Sequence, residues 1–189
     1  FRYWHTLLTI ANLITLLRIV LVPVIVWAIL SDQLLMGFLV FLLAGLSDAV
    51  DGTVARYFNQ QSELGTILDP IADKLMLVSV FIALAYLGEI PLWLVILIVS
   101  RDLLIIFGVM LAFLLSLPVT IRPLWVSKTN TVAQIALAAW VLFSLAFEIE
   151  LSNAKLLLEW TTGLLTFLSA AAYLREGVQL FATEKNGAH

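Results

Sequence analysis

The sequence has no cysteine, and its two histidines, His5 and His189, lie near its two ends. Without cysteine, these 189 residues cannot form disulfides, thiolate metal sites or a cysteine nucleophile, and a histidine-based zinc site is not expected either. Charged residues make up only 12% of the chain, against about 25% in a soluble domain. The ten Lys and Arg form no run, so no nucleic-acid partner is expected. Aspartate remains as the main source of polar chemistry.

Apolar residues, in contrast, are abundant: they make up 62% of the chain, and the mean hydropathy is +1.08. A membrane-spanning helix needs about 20 mostly apolar residues. Breakers and charges divide the chain into stretches of about that length, near 12–30, 34–57, 66–87, 91–117, 129–147 and 154–181. We therefore predict an all-α membrane protein with six transmembrane helices, forming a single domain over residues 1–189.

The N-terminal residues 1–10 carry aromatic and basic side chains, which suits a short interfacial segment. The chain begins at Phe1 and not at Met, so we expect N-terminal residues to be missing, and we interpret the first apolar run as a span and not as a cleaved signal. Basic residues mark the loops and termini of one side, which we predict to face the cytoplasm. They are Arg2, Arg56, Arg122, Lys128, Arg175 and Lys185.

Five of the six aspartates fall within predicted spans, where a charge costs roughly 2.5–3.5 kcal/mol at a helix centre. Asp48 and Asp51 are three positions apart, and Asp69 and Asp73 are four apart, so each pair shares one helix face. The short 57–65 loop would bring both pairs together. Four carboxylates in a low dielectric cannot all stay ionised without cations. Because oxygen-only ligands suit Mg²⁺ or Mn²⁺, we predict a site for one of these metals.

Neutralisation by Arg56 and Lys74, or protonation, is the alternative, but two cations do not balance four carboxylates. The wider pattern from Asp48 to Asp73 is D-x2-D-G-x2-A-R-x8-G-x3-D-x3-D. Its small residues leave room for a phosphorylated group to approach the backbone, and helix packing is the other explanation for them. They are Gly52, Ala55 and Gly65.

This pattern resembles the signature of the CDP-alcohol phosphotransferase family, and every signature position is occupied. The resemblance extends over nearly the whole chain and implies transfer of a substituted phosphoryl group from a CDP-linked lipid to an alcohol, with release of CMP. It also implies a homodimer, two divalent ions and Asp73 as the general base. The implied metal ligands are Asp48, Asp51, Asp69 and Asp73, and the implied CDP-binding residues are Gly52, Ala55, Arg56 and Gly65.

Asn12, Thr15 and Arg18 lie at i, i+3 and i+6 on one face of the first predicted span. They resemble the family's P-N-x-x-T-x-x-R element, with Ala11 in place of the usual proline. The resemblance implies that these three residues also belong to the CDP site. For Arg18, a snorkelling anchor at the membrane interface is the alternative.

Three basic residues are candidates for the phosphate of the acceptor. Arg101 lies in the middle of the fourth span, and since adjacent helix residues do not face each other, we expect it to point into a phosphate-holding cavity and not to be neutralised by Asp102. Lys128 is either an interfacial anchor or a phosphate contact. Arg122 is the third candidate, with a simple loop charge as the alternative.

The runs Ser-Arg-Asp at 100–102 and S-K-x-N-T-x-x-Q at 127–134 resemble the cardiolipin synthase type within the family. Phosphatidylglycerophosphate synthases more often carry a second lysine where this chain has Asn130. One fewer cation suits a less charged acceptor. The resemblance therefore implies transfer from CDP-diacylglycerol to phosphatidylglycerol, in the bacterial inner membrane with the site facing the cytoplasm, or in the mitochondrial inner membrane.

Other functions remain open at this point. The nearest keeps the donor and uses glycerol 3-phosphate as acceptor, and an inositol phosphate acceptor has less support. A membrane prenyltransferase usually needs more helices and two widely separated aspartate motifs. A divalent cation transporter favours midplane sites, often in repeats, whereas these acids lie toward one end and no repeat is found.

Overall fold

The computed structural model describes residues 10–58, 63–114, 125–149 and 152–187, with most side chains in 15–47, 71–114, 125–149 and 153–178. These residues form six α-helices and no strand, which confirms the predicted all-α class and helix number. The predicted N-terminal interfacial segment lies outside the described residues, except for Ile10. The helices are α1 (Ile10–Leu30), α2 (Leu34–Phe58), α3 (Glu63–Tyr86), α4 (Leu92–Leu114), α5 (Trp125–Ala146) and α6 (Ser152–Gly187).

Helices α1, α3 and α5 end in the same way, with a residue in the left-handed region at Asp32, Gly88 and Glu148 (φ 60°, 79° and 54°). After α1, the amide of Gln33 donates to the carbonyl five residues back at 2.9 Å, and the equivalent bonds after α3 and α5 measure 2.9 and 3.0 Å. This Schellman arrangement pairs carbonyls that a helix end leaves without partners. It lets the chain reverse within a few residues.

The chain divides into two compact units, 1–90 with 138–151 and 91–137 with 152–189. In the first unit α1 packs on α2 and α3, and its fully buried side chains include Ile25, Phe81 and Leu84. An aromatic cluster joins α2 to the end of α5, with the Phe143 ring 5.7 Å from that of Phe38. The single domain over 1–189 stays a prediction.

In the second unit, α4 packs against α6 around a tryptophan pair. The rings of Trp93 and Trp160 lie 5.5 Å apart, and Trp93 reaches across to Gly163 of α6. A Cβ added to Gly163 would lie 2.9 Å from Cη2 of Trp93, which is too close for an atom to occupy. Glycine at 163 is therefore what lets the indole lie against the α6 backbone.

Two segments within the described residues are long and apolar enough to cross a membrane, Trp125–Ala146 and Asn153–Val178. Thr15–Leu30 and Leu34–Ser47 are shorter apolar segments. Large apolar side chains are exposed on several helices, Leu114 at 78% and Tyr86 at 81% among them. Such surfaces suit lipid contact, and six membrane spans stay a prediction.

Candidate active site

The structure places both predicted aspartate pairs on continuous helices. Asp48 and Asp51 lie in the last three turns of α2, and Asp69 and Asp73 lie in the first three turns of α3. The predicted CDP-binding residues are on the same two helices: Gly52, Ala55 and Arg56 on α2 and Gly65 on α3. The side chains of 48–70 lie outside the described ones, so the gathering of all four carboxylates stays a prediction.

Asp73 is the member of the cluster whose side chain is described, and it forms an ion pair with Arg18. The guanidinium of Arg18 on α1 donates from Nη1 to Oδ1 of Asp73 on α3. Arg18 is 2% exposed, and the Asp73 side chain is 39% exposed. Thr15, one turn before Arg18, is also buried. The predicted polar face of α1 is thus turned inward at these two positions, while Asn12 lies outside the described side chains.

The half-exposed Asp73 carboxylate offers the hard oxygen donor that Mg²⁺ and Mn²⁺ prefer. Among the described residues, no group of three His, Cys, Asp or Glu side chains is placed to hold a metal ion. The other three predicted ligands, Asp48, Asp51 and Asp69, are not among the side chains searched. The donor chemistry of Asp73 therefore fits the predicted metals, and the two-ion centre stays a prediction.

Arg101 on α4 is buried at 4% exposure and is held by side chains of three helices. Its Nη1 donates to Oδ1 of Asp102 at 2.7 Å, its Nε and Nη2 donate to Oγ of Ser169 on α6 at 3.0 and 2.8 Å, and Nη2 also donates to Ser127 on α5. The Tyr173 ring centroid lies 5.8 Å from Cζ.

The expectation that Asp102 does not neutralise Arg101 is therefore wrong. Adjacent Cα–Cβ bonds on a helix diverge, but the long arginine stem curves back and brings the guanidinium within reach of the neighbouring carboxylate. A phosphate contact by Arg101 stays a prediction, and it would have to coexist with this pairing.

A second buried polar contact joins α5 and α6, about one turn away from the Arg101 contacts at Ser127 and Ser169. Thr166 of α6 lies with its hydroxyl 2.8 Å from Oδ1 of Asn130 on α5 and 2.7 Å from the carbonyl oxygen of Thr162. Asn130 and Thr166 are fully buried, and Gln134 is 3% exposed. Nδ2 of Asn130 and Nε2 of Gln134 are buried donors with no hydrogen-bond partner. Both amides point into the bundle interior and not toward solvent.

Sequence reasoning missed the α6 side of this contact. The signal was available: Thr162, Thr166 and Ser169 lie at i, i+4 and i+7, a spacing that puts three hydroxyls on one helix face. All three are fully buried. This hydroxyl face supplies partners for both Arg101 and Asn130.

Of the other two candidates for the acceptor phosphate, Lys128 is within the described residues. Lys128, in the first turn of α5, is exposed, and its ammonium lies 5.5 Å from the ring centroid of Trp125. A cation over an exposed indole is typical of an interfacial anchor and leaves the charge accessible to an anion. Arg122 lies outside the described residues.

A sequence model of the family described as CDP-alcohol phosphatidyltransferase matches residues 8–168. The chain belongs to this family. The match extends from the start of α1 into α6, so the polar face of α1, the aspartates of α2 and α3 and Arg101 all lie within it.

Among members of the CDP-alcohol phosphatidyltransferase family, the chain is similar to the "Cardiolipin synthase (CMP-forming)" of Rattus norvegicus, at 35% identity over 89% of this chain and 61% of the rat protein. The human cardiolipin synthase is 34% identical over 89% of this chain and 62% of its own length. The chain thus spans about three fifths of the length of these relatives.

A "Probable phosphatidylglycerophosphate synthase" of Mycobacterium tuberculosis is also similar, with 38% identity over 49% of this chain and 47% of that protein. The similarity to the two cardiolipin synthases extends over nearly twice as much of this chain. The names of these relatives give two different activities.

Proposed function

We propose that this chain transfers the phosphatidyl group of CDP-diacylglycerol to a hydroxyl of phosphatidylglycerol, which gives cardiolipin and CMP. The observation that carries the proposal is the complete D-x2-D-G-x2-A-R-x8-G-x3-D-x3-D pattern, whose two acidic pairs lie on the adjoining ends of α2 and α3. Similarity to two cardiolipin synthases over 89% of the chain supports the acceptor.

The reaction exchanges one phosphorus–oxygen bond for another. The acceptor hydroxyl oxygen attacks the phosphorus that carries the diacylglycerol, the bond from that phosphorus to the CMP oxygen breaks, and Asp73 accepts the hydroxyl proton. Two Mg²⁺ or Mn²⁺ ions held by Asp48, Asp51, Asp69 and Asp73 would supply the positive charge that the leaving CMP requires. A direct in-line displacement suits a chain with no obvious covalent nucleophile.

The small residues and Arg56 of α2 have complementary tasks on the donor side. Arg56 contacts the diphosphate, for which a guanidinium has matching geometry. Gly52, Ala55 and Gly65 leave space for the nucleotide beside the carboxylates. Asn12 and Thr15 extend this polar lining along α1. The family resemblance implies the same role for Arg18, whose described ion pair is with Asp73.

The second unit has features that suit an acceptor with a single phosphodiester charge. Arg101 is already paired with Asp102, and position 130 is a neutral amide, so the described residues of this unit offer few free cations near the buried Arg101 and Asn130 side chains. Lys128 carries an exposed charge, and Arg122 is the further candidate. Glycerol 3-phosphate, with about two negative charges, would be served less well by this arrangement.

Glycerol 3-phosphate is nevertheless the second candidate acceptor, because a relative named as a probable phosphatidylglycerophosphate synthase is 38% identical over half of the chain. Cation transport is a distant third. We further propose that the protein works as a homodimer embedded in the bacterial inner membrane with the acidic cluster facing the cytoplasm, the mitochondrial inner membrane being the alternative. The two long apolar segments support a membrane location.

The test is CMP release by detergent-purified protein supplied with CDP-diacylglycerol and Mg²⁺ or Mn²⁺. Phosphatidylglycerol, glycerol 3-phosphate and buffer are offered in parallel, and lipid products are identified by mass. We expect cardiolipin, formed only with phosphatidylglycerol. CMP release driven by glycerol 3-phosphate would overturn the acceptor and keep the reaction.

The matched variant is Asp69→Asn, which removes a proposed metal ligand with little change in size. We expect CMP release to fall to background while the protein stays folded by size-exclusion chromatography. Normal turnover by Asp69→Asn would contradict the metal cluster. If CDP-lipid did not change the Mn²⁺ affinity of the parent protein, that result would favour transport.

A further inference from the structure

Arg18 is far less exposed than the aspartate with which it pairs. The arginine side chain is 2% exposed and the aspartate side chain is 39% exposed. The Asp73 carboxylate is therefore more accessible to a phosphate group or a cation from solvent than the Arg18 guanidinium is. A direct contact between Arg18 and the nucleotide would require the nucleotide to reach a side chain that is only 2% exposed.

A buried guanidinium needs an anion because an uncompensated charge in a low-dielectric interior is strongly destabilising. Arg18 obtains one from a carboxylate on another helix, 55 residues further along the chain. It donates through Nη1 to one oxygen of Asp73, and a planar guanidinium presents its N–H groups in fixed directions, which a flexible ammonium does not. The pair thus orients Asp73 and ties α1 to α3, two helices that pack together in the first unit.

We propose that Arg18 is a positioning residue for Asp73 and not a ligand of the CDP group. The inference rests on the proposed function, since it takes Asp73 as part of the metal site. Arg18 aims the carboxylate for the reaction, and its positive charge weakens the attraction of the cluster for a divalent cation. Its removal therefore has two opposite effects: metal binds more tightly, and turnover is slower.

The first readout is Mn²⁺ binding without any lipid or nucleotide, followed by electron paramagnetic resonance of the free ion. In Arg18→Gln we expect the Mn²⁺ dissociation constant to fall by about tenfold, because the positive charge beside the Asp73 carboxylate is gone. In the CMP-release assay, we expect kcat to fall by about tenfold or more. The KM for CDP-diacylglycerol stays within about threefold of the parent value, since no nucleotide contact is lost.

Three variants sharpen the result. Arg175→Gln removes the same side chain from an exposed position of α6, and we expect it to leave Mn²⁺ binding unchanged. Arg18→Lys keeps the charge but loses the fork, so we expect parent-like Mn²⁺ affinity with a reduced kcat. In an Asp73→Asn background, Arg18→Gln should not lower the residual kcat further, because the carboxylate that Arg18 orients is already absent.

Unchanged Mn²⁺ affinity in Arg18→Gln, together with a raised KM for CDP-diacylglycerol, would overturn the inference and make Arg18 a nucleotide contact. If Arg18→Gln does not fold, Arg18→Lys decides: a raised KM with an unchanged kcat would overturn it equally. A parent protein that binds no Mn²⁺ would remove the proposed function and this inference with it. If the parent binds Mn²⁺ and only the Arg18 variants give the contradicting result, the inference alone fails and the proposed function stands.

Discussion

Each unit of the molecule contains a buried arginine paired with an aspartate, and the two pairs are built differently. Arg18 binds a carboxylate from another helix, and that carboxylate is 39% exposed. Arg101 binds the carboxylate of the next residue, with arginine and aspartate side chains 4% and 11% exposed. Arg101 also donates hydrogen bonds to Ser169 on α6 and Ser127 on α5.

This difference in exposure distinguishes a pair whose aspartate is accessible to a ligand from a pair that other side chains enclose. An aspartate with an accessible side and a fixed direction can bind a cation or accept a proton. A guanidinium enclosed by Asp102, Ser127 and Ser169 holds α4, α5 and α6 together, and it has few donors left for anything else. Residue type alone does not distinguish the two pairs, and exposure does.

The largest effect is expected at the exposed carboxylate. Asp73→Asn removes both a proposed metal ligand and the proposed base, and we expect kcat for CMP release to fall by roughly 10²–10⁴-fold. Activity is normalised to the folded fraction, because Arg18 also loses this carboxylate. The control is Asp32→Asn, the same chemical change at an exposed turn whose left-handed backbone asparagine tolerates. Activity within about threefold of the parent in Asp73→Asn would erase the distinction between the pairs.

The enclosed pair should respond in stability instead. Asp102→Asn leaves the Arg101 guanidinium without its neighbouring carboxylate, and we expect the free energy of unfolding to fall by about 3 kcal/mol. Denaturant unfolding in detergent measures this loss, with Asp32→Asn again as the control. If the folded Asp102→Asn protein lost turnover as completely as Asp73→Asn, the Arg101 pair would belong to the chemistry.

A smaller effect tests whether the two units can be perturbed separately. Gly163→Ala places a methyl group 2.9 Å from Cη2 of Trp93, and we expect a loss of about 1–3 kcal/mol as the indole shifts. Gly108→Ala, on an open side of α4, should be neutral or stabilising by up to about 1 kcal/mol. Mn²⁺ affinity should stay at the parent value in both, since Asp73 belongs to the first unit. A weakened Mn²⁺ affinity in Gly163→Ala would show that packing in the second unit reaches the metal site.

Much of the fold could be predicted because long apolar runs interrupted by charges determine where helices lie. Predicted bounds for the first two helices, 12–30 and 34–57, agree with α1 and α2 to within two residues. The ends of α1 and α5 carried no glycine signal: Asp32 and Glu148 adopt the left-handed conformation that glycine prefers. There the reversal follows from the Schellman bonds of the flanking turn and not from residue type.

The partners of the ion pairs were less predictable than the positions of the residues on their helices. Position on a helix put Thr15 and Arg18 on one face, but it did not identify Asp73 as the partner across the bundle. The rule that neighbours on a helix diverge failed at Arg101 because it describes Cβ directions and not the reach of a long side chain. Helical spacing is a property of one segment, whereas an ion pair depends on packing between segments.

The sequence distance between Arg18 and Asp73 has a consequence for biosynthesis. At roughly 5–20 residues per second, translation completes α1 some seconds before the aspartate 55 residues downstream is made. Arg101 and Asp102, by contrast, leave the ribosome together. The Arg101–Asp102 partners are therefore adjacent as soon as α4 is helical, whereas the Arg18–Asp73 pair can close only when α3 has arrived beside α1, which makes it a marker of the packing of these two helices.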